Sequence, residues 1–316
     1  MRKIVHFSLA SHDEVIYRDE ADLGRGFNCL AEACLETDSR LLADGLMSTH
    51  HHGIAQTDDC KALIHTERYA YTRYFNARYG RKGRLGEQKP FMLAIEGAFH
   101  LLVALNYVNR QGLHHGIAAT PFDYPFCSAN AFFRKELGKE DTRRLMPADQ
   151  RYKYLPDRSS IPANVRMTDS GMLFQEDIID TSYVEQVYIT PRNYIFQMNK
   201  LSDEKWNEQQ RSDGTDTPII TLELIETGVG GIDVEQLLRN ENGRVNTNQM
   251  KDMDLCKLID TVYIPRILKG GQIKSVYQLS LTQRNDLCNT LWQDIPRIYK
   301  KRTTVPQLKR CACLNY

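Results

Sequence analysis

The pattern of hydrophobic and polar positions changes twice within the first 57 residues of the chain. Residues 3–10, KIVHFSLA, alternate in part and include β-branched side chains, which predicts a first strand. Residues 20–37 carry apolar side chains at helical spacing, and Asp38 and Ser39 end that helix. The chain returns to strand character over residues 40–57. The predicted order is therefore strand, helix, strand.

Two more helices are predicted before the pattern weakens. Residues 59–79 have helical periodicity, with core positions at Leu63, Tyr71, Tyr74 and Phe75. Residues 80–90, GRKGRLGEQKP, form a basic, glycine-rich loop closed by a proline. Residues 91–112 are strongly apolar and predict one long helix that ends at Gly112. An extended turn segment, TPFDYPFCS, follows it.

After residue 135 the composition becomes charged and proline-punctuated, which predicts a domain boundary. We expect an N-terminal α+β domain over residues 1–135 and a mixed, mostly helical region over residues 136–316. The polar segment 201–218 is expected to be an exposed connection. Residues 275–316 include a basic tail and are a candidate for a helical DNA-binding unit, although one short helix does not establish a helix-turn-helix.

Composition narrows the class of protein. The net charge is +1, so whole-molecule charge says nothing about partners. The eight cysteines are scattered without a CxxC pair, and the chain does not open on a secretory apolar segment. No apolar run approaches the ~20 residues that a membrane-spanning helix needs. These features predict a cytoplasmic protein with reduced cysteines and no membrane partner.

The histidines are unevenly distributed. All nine lie within the first 115 residues, and three of them, His50, His51 and His52, are consecutive. On a strand, His50 and His52 project from one face and His51 from the other. Two imidazoles on one face can share a divalent ion, but such a site needs a third ligand. The alternative is a solvated polar strand end with no ligand role.

The predicted helix over residues 91–112 offers that third ligand. Tyr107 and Gln111 stand four residues apart and so share one helix face. The carbonyl oxygen of Gln111 suits Mg²⁺ or Mn²⁺. A metal on a phosphodiester oxygen stabilises the transition-state charge, and the Tyr107 hydroxyl can attack phosphorus to give a covalent intermediate. The alternative for Tyr107 is an ordinary core or rim residue.

Read in order, these motifs resemble the single-tyrosine HUH transposases, especially the REP-associated tyrosine transposases and insertion-sequence-200-type relatives. The segment ALNYVNRQGLHHGIAATPFDYPFCS falls in that register without a gap, through Tyr107, Val108, Gln111, Gly116, Pro121, Asp123, Tyr124, Pro125, Phe126 and Ser128. The segment YTRYFNARYGRKGRLGE resembles the stretch that precedes the nucleophile helix in the family. His6 stands where the family's first strand often has a histidine.

The resemblance covers about residues 3–135 and implies a ferredoxin-like or RRM-like fold with a central antiparallel sheet. It implies metal ligands at His50, His52 and Gln111, a Mg²⁺ or Mn²⁺ cofactor, and Tyr107 as the nucleophile. The implied reaction nicks single-stranded DNA beside a hairpin and leaves a 5′-phosphotyrosine. Should the register be wrong, the remaining candidate nucleophiles are Tyr69, Tyr71, Tyr74 and Tyr79.

The chain departs from the family pattern at two places. The usual Pro-Asn before the first metal histidine reads Ser48-Thr49, and the hydrophobic residue between the two ligands is His51. The usual Asn-Pro after the tyrosine reads Gln111-Gly112. These departures motivate a second hypothesis, a domesticated or inactive member that binds DNA hairpins as a regulator without cutting. A third is a structural metal site in an unrelated α/β protein.

A basic stretch adds a DNA-contact hypothesis. Between Arg68 and Lys89 the chain has seven basic residues and one acid, Glu87, with tyrosines and Phe75 among them. The basic residues are Arg68, Arg73, Arg78, Arg81, Lys82, Arg84 and Lys89. Cations for phosphates and rings for unpaired bases suit single-stranded or hairpin DNA. An ordinary solvated helix face is the alternative. The chain is expected to act as a monomer or homodimer.

Overall fold

The centre of the fold is a four-stranded antiparallel sheet. The computed structural model describes residues 2–199, 248–267 and 275–314, so the predicted connection at 201–218 lies outside the described residues. The strands are β1 (Lys3–Ala10), β2 (Arg40–Leu46), β3 (His50–Thr57) and β4 (Phe91–Ile95), in the spatial order β2-β3-β1-β4. Together with the helices, this confirms an α+β class.

Helices surround the sheet. The α-helices of the first 199 residues are α1 (Glu20–Glu36), α2 (Cys60–Tyr79), α3 (Ala98–Asn109), α4 (Gln111–His114), α5 (Gln175–Ile178), α6 (Thr181–Tyr188) and α7 (Pro191–Met198). Those that follow are α8 (Asp252–Leu258), α9 (Ile264–Ile267), α10 (Leu281–Asp294) and α11 (Val305–Cys311), with π-helical turns at Ile259–Tyr263 and Ile295–Tyr299. Short 3₁₀ turns occur at Pro121–Asp123, Ser128–Asn130, Ala148–Lys153 and Val276–Gln278. The helices predicted over 20–37 and 59–79 are confirmed.

The segment 40–57, predicted as one strand, is a hairpin. The backbone N–H of Met47 donates to the carbonyl of His50 at 2.8 Å and closes a tight turn, after which Leu46 pairs with His51. β3 then lies between β1 and β2, so it has hydrogen-bonded neighbours on both sides. The reading of the histidines as a solvated strand end is wrong, because all three are at most 3% exposed.

The segment 91–112 was expected to be a single helix, and its first part is instead a strand. Phe91–Ile95 pairs antiparallel with β1, with Ile4 opposite Ile95. Gly97, at φ 85°, then turns the chain into α3. A five-residue apolar run has no periodicity that separates strand from helix. The exposed hydrogen-bonding edge of β1 decides the outcome, and only the tertiary fold supplies it.

The sheet carries helices on both faces. α1 and α2 pack against each other, and α2 reaches the sheet face from which His51 projects. α3 packs on the opposite face, against β2 and β3. Gly45 makes that approach possible, because a Cβ there would lie 2.8 Å from the carbonyl oxygen of Val108. The face carrying His50 and His52 is therefore covered by α3 and α4.

The described part of the C-terminal region packs on the N-terminal part. The buried guanidinium of Arg18 donates to Asp260 and to the carbonyl of Cys311. The hydroxyl of Tyr277 donates to the buried carboxylate of Glu14 at 3.0 Å. The domain boundary near residue 135 and the DNA-binding unit at 275–316 stay predictions. Among the helices of the described ranges, none is long and apolar enough to span a membrane.

Candidate functional site

Six polar or aromatic side chains converge between β3, β1 and the α3–α4 junction. His50 and His52 project from one face of β3, and their ring centroids lie 5.2 Å apart. His6 on β1, Tyr107 on α3, Gln111 on α4 and His115 just after it complete the group. We refer to these six residues as the histidine cluster. Alternation along β3 places His51 on the other face, as predicted.

A histidine–histidine hydrogen bond orients the second imidazole of the cluster. Nε2 of His6 lies 3.0 Å from Nδ1 of His52, and both rings are fully buried. Within the described ranges, Nε2 of His52 and Nδ1 of His6 have no hydrogen-bond partner. A buried nitrogen without a partner is unfavourable unless something else satisfies it. A metal-ligating histidine commonly makes such a bond through its other ring nitrogen.

Gln111 faces the first imidazole of the cluster. Its Oε1 lies 3.4 Å from Nε2 of His50 and 2.9 Å from Nε2 of His115. Thr49 Oγ1 lies 3.1 Å from Nδ1 of His50, and its hydroxyl can accept from or donate to that nitrogen. His50 can therefore present either a proton or a lone pair towards Gln111. Gly45 sets this geometry, since a Cβ there would lie 3.3 Å from Cγ of Gln111.

Tyr107 lies against the histidines and keeps 7% of its surface exposed. Its ring centroid is 5.1 Å from that of His52, in an edge-to-face arrangement. The rings of His6 and His114 lie 6.1 Å and 5.8 Å from it. His114 and His115 are half-buried and form the accessible rim beside the tyrosine. Tyr107 and Gln111, four residues apart, do lie on one side of the α3–α4 junction.

Burial keeps the imidazoles of His6, His50 and His52 neutral. Desolvation lowers the pKa of His6 to about 3 and that of His50 to about 4, and it lowers the pKa of His52 well below the ordinary value. The charges of His114 and Arg310 further lower the pKa of His50. Neutral imidazole is the form that binds metals. These three imidazoles therefore present lone pairs rather than charges at pH 7.

The other face of β3 holds His51 in a polar contact. Nδ1 of His51 lies 3.3 Å from Oε1 of Glu67 on α2, and the Tyr17 hydroxyl lies 3.4 Å from the same nitrogen. Burial raises the pKa of Glu67 to about 8 and lowers that of His51 to about 3. Both groups are thus neutral at pH 7, and the contact is a hydrogen bond between neutral partners. This explains how a histidine fits where a hydrophobic residue was expected.

The donor set fits a divalent ion in part. Within the described residues, no group of three or more His, Cys, Asp or Glu side chains is arranged to hold a metal. A site formed by His50, His52 and Gln111 contains only two such side chains. It offers the partnerless Nε2 of His52 and, on the Gln111 side, Nε2 of His50. Two neutral nitrogens and an amide oxygen are acceptable ligands for Mn²⁺, whereas Mg²⁺ favours oxygen ligands.

The seven basic residues divide into two groups. Arg81 is buried and pairs with Glu14 at 2.6 Å, while Arg78 pairs with Asp19 and Asp22. Arg73 pairs with Asp157, and Arg68 donates to the carbonyl of Glu87. Their side chains thus have partners within the chain. The other three, Lys82, Arg84 and Lys89, are exposed in the loop after α2, and Arg73 and Arg78 on α2 are exposed as well.

The alternative tyrosines are remote from the cluster. Tyr71 donates its hydroxyl to the carbonyl of Ile16 at 2.7 Å, and Tyr79 donates to Asp22 at 2.8 Å. Tyr74 donates to the other oxygen of Asp22, and Tyr69 is 60% exposed. An open groove of about 860 Å³ lies beside Tyr69 and Tyr74, between α1 and α2. Arginines and acidic residues both line it, so it is not a simple anion site.

Sequence reasoning gave no role to three groups that the fold brings to the two faces of β3. His114 and His115 flank Tyr107 and Gln111, and Glu67 supports His51. A signal for Glu67 was present, because it falls with Leu63 and Tyr71 on the apolar face of α2. A lone acid among core positions indicates a buried partner.

Comparison with known proteins gives little further guidance. No family model matches the chain, and no curated protein matches it. Among solved structures, the chain is similar to one described as the structure of the REP associates tyrosine transposase bound to a REP hairpin. The sequence identity is 14%, the match covers 43% of this chain and 80% of that one, and the TM-score is 0.35. A likeness at this level bears on neither fold nor function.

Proposed function

We propose that the protein is a metal-dependent, transposase-like nickase and strand-transferase that acts on single-stranded DNA beside hairpins through a phosphotyrosine on Tyr107. The observation that carries the proposal is the convergence of His50, His52, Gln111 and Tyr107 on one face of the sheet. The strand order β2-β3-β1-β4, with α1 and α2 as the connections to β2 and β4, supports a ferredoxin-like fold within it.

In the proposed reaction, the Tyr107 oxygen attacks the scissile phosphorus. The Tyr107 Oη–P bond forms, the bond from phosphorus to the 3′ oxygen breaks, and that oxygen takes up a proton while the phenol loses one. The half-buried His114 lies beside Tyr107 and is suited to receive the phenol proton. The released 3′ hydroxyl, or that of another strand, can reverse the reaction, so strand transfer needs no external energy source.

His50, His52 and Gln111 would hold the Mn²⁺ or Mg²⁺ ion. Bound there, it would neutralise charge on a non-bridging phosphate oxygen. His6 orients the His52 ring through the 3.0 Å bond to Nδ1, and Thr49 does the same for His50. Gly45 lets α3 approach β2 closely enough for Gln111 to reach His50. The chain's own residues thus fix the orientation of each donor.

The exposed cations after α2 would contact the DNA backbone. Lys82, Arg84 and Lys89 are exposed, whereas Arg81 and Arg78 bind carboxylates within the chain. Phosphate contacts position a nucleic acid without reading its sequence. We therefore assign DNA backbone contacts to the three exposed cations of the loop, Lys82, Arg84 and Lys89, and a scaffold role to Arg81 and Arg78.

The test is adduct formation with hairpin-bearing single-stranded DNA and Mn²⁺ or Mg²⁺, followed on denaturing gels. The wild type is expected to form a covalent complex that EDTA abolishes. Tyr107→Phe removes only the nucleophilic oxygen and is expected to abolish the complex. Tyr69→Phe is the matched control, since it removes an exposed hydroxyl far from the cluster. An adduct that survives Tyr107→Phe would refute the proposed role.

The second candidate function is DNA-hairpin binding without cleavage. The specific observation in its favour is that Oε1 of Gln111 lies closer to His115, at 2.9 Å, than to His50, at 3.4 Å. His115 then engages the oxygen that a metal would need. This reading predicts salt-sensitive DNA binding by the wild type and by Tyr107→Phe alike, with no adduct in either.

A further inference from the structure

A buried arginine from the C-terminal region lies near the histidine cluster and has an unsatisfied donor. Arg310, on α11, is 7% exposed, and its Nε has no hydrogen-bond partner among the residues that the structure describes. Its Nη2 lies 3.3 Å from Oδ2 of Asp252. A guanidinium has five N–H donors, and leaving one of them buried without an acceptor is unfavourable. The side chain therefore has spare capacity for an acceptor from outside the chain.

The position of Arg310 is set by contacts to the hairpin turn that leads into β3. Oδ2 of Asp252, which accepts from Arg310, also lies 3.4 Å from the Ser48 hydroxyl. Ser48 precedes Thr49, whose hydroxyl contacts Nδ1 of His50. Polar contacts thus connect Arg310 through Asp252 to Ser48, and the next residue in the chain, Thr49, contacts the first candidate ligand. Its charge also acts on the imidazole of His50.

The same C-terminal segment also contacts the loop that follows α4. Lys251, one residue before Asp252, donates from Nζ to the carbonyl of Ile117 at 2.9 Å. Ile117 lies in the loop after α4, just beyond His115. Gln307 donates to Oδ1 of Asp252 at 2.8 Å and so holds α11 against this segment. The segment around Asp252 thus contacts the loop after α4 through Lys251 and helix α11 through Asp252.

We propose that Arg310 forms an anion subsite beside the histidine cluster, which binds a DNA phosphate next to the one that Tyr107 attacks. This inference rests on the proposed function and gives the C-terminal region a part in it. A guanidinium suits a phosphate oxygen because its N–H groups form a planar fork. Asp252 holds the guanidinium in place through Nη2, and Nε remains for the ligand. Arg310 is thus a substrate-binding residue, and Asp252 is its positioning residue.

The experiment measures binding of hairpin DNA in a Tyr107→Phe background, so that cleavage is not required. Each phosphate near the cleavage position is replaced in turn by a neutral methylphosphonate. In the protein that retains Arg310, a methylphosphonate at one particular position is expected to weaken DNA binding roughly tenfold. In Arg310→Gln, a methylphosphonate at that position is expected to weaken binding no further. Arg310→Gln should also reduce the steepness with which the logarithm of the DNA-association constant falls with the logarithm of salt concentration, by about 1. Lys257→Gln is the matched control, because it removes an exposed cation from α8, the helix that begins at Asp252, outside the basic tail.

The outcomes separate a binding role from a structural one. If Arg310→Gln weakens binding equally for every methylphosphonate position, the residue acts on the fold alone and the inference is overturned. Arg310→Lys keeps the cation and covers the case in which Arg310→Gln does not fold. In this variant, the methylphosphonate at the same single DNA position is expected to weaken binding by less than it does in the protein with Arg310. Adduct formation by the wild type with no Arg310 effect overturns the inference but leaves the proposed function intact. A wild type that binds no DNA overturns both.

Discussion

Asp44 provides the sharpest physical test of the fold around the site, because it is a buried carboxyl with no cation beside it in the described part of the chain. It is fully buried on β2, and both of its oxygens lie 3.2–3.3 Å from Nε2 of Gln175. Its backbone N–H donates to the Ser128 hydroxyl, which in turn donates to Asn109 at the end of α3. Asp44 therefore lies at the seam that fixes α3, and with it Tyr107, on the sheet.

Burial raises the pKa of Asp44 from 3.8 to about 8. The folded state therefore binds this proton more tightly than the unfolded chain does, and the stabilising effect is complete only below pH ~4. As the pH rises from about 4 to about 8, the folded state loses roughly 1.4 kcal/mol per pH unit relative to the unfolded state. The loss reaches about 4 kcal/mol at pH 7, a large fraction of an ordinary domain's ~5–15 kcal/mol.

Asp44→Asn replaces the protonated acid with a neutral group of nearly the same shape. The assay is urea unfolding of the wild type and the variant at half-unit steps between about pH 4 and pH 8. The two free energies of unfolding should agree within about 1 kcal/mol near pH 4 and diverge with rising pH, the variant being more stable. Comparing the two proteins isolates Asp44, because Glu67 is present in both. Asp254→Asn, at an exposed carboxyl, should give a curve parallel to the wild type. Parallel curves for Asp44→Asn itself would refute the reasoning.

Three further changes test other parts of the account. Gly45→Ala should lower the free energy of unfolding by about 1–3 kcal/mol, because its Cβ would lie 2.8 Å from the Val108 carbonyl oxygen. The same variant should bind Mn²⁺ more weakly in calorimetry, and an unchanged Mn²⁺ affinity would contradict this. Arg81→Gln should destabilise the fold by about 3–5 kcal/mol in urea, since it leaves the buried Glu14 carboxylate without its cation; a loss below 1 kcal/mol would count against the scaffold role. Arg84→Gln should leave urea unfolding unchanged but reduce the salt slope of DNA binding by about 1, and an unaltered slope would remove it from the DNA contact.

The parts of the fold that the sequence predicts correctly are those in which the hydrophobic positions repeat with a clear helical or strand period. The helices over 20–37 and 59–79 have caps and helical spacing, and both form. The alternation at His50, His51 and His52 also predicts correctly which imidazole faces which side. Residues 91–95 are predicted wrongly, because a short apolar run takes its structure from the neighbour it pairs with, here β1.

In the candidate site, too, features set by local spacing could be predicted and features set by distant contacts could not. The pairing of Tyr107 with Gln111 and that of His50 with His52 could be predicted from local spacing, whereas the meeting of the two pairs was implied only by the family resemblance. The contributions of His6 and Arg310 depend on contacts between residues 46 and 58 positions apart in the chain, such as His6 with His52 and Arg310 with Asp252. Contacts of that range follow from the packing of whole elements, and one sequence does not display them. The partners of Arg78 and Arg81 were missed for the same reason.

The most direct measurement identifies the residue that becomes covalently attached to DNA. The wild-type protein is incubated with hairpin-bearing single-stranded DNA and Mn²⁺, trapped in SDS, digested with nuclease and protease, and analysed by mass spectrometry. The account predicts a nucleotide phosphate on the peptide that contains Tyr107, lost in His50→Ala and in the presence of EDTA. A modification on Tyr69, Tyr71, Tyr74 or Tyr79, or tight DNA binding with no modified tyrosine, would contradict it.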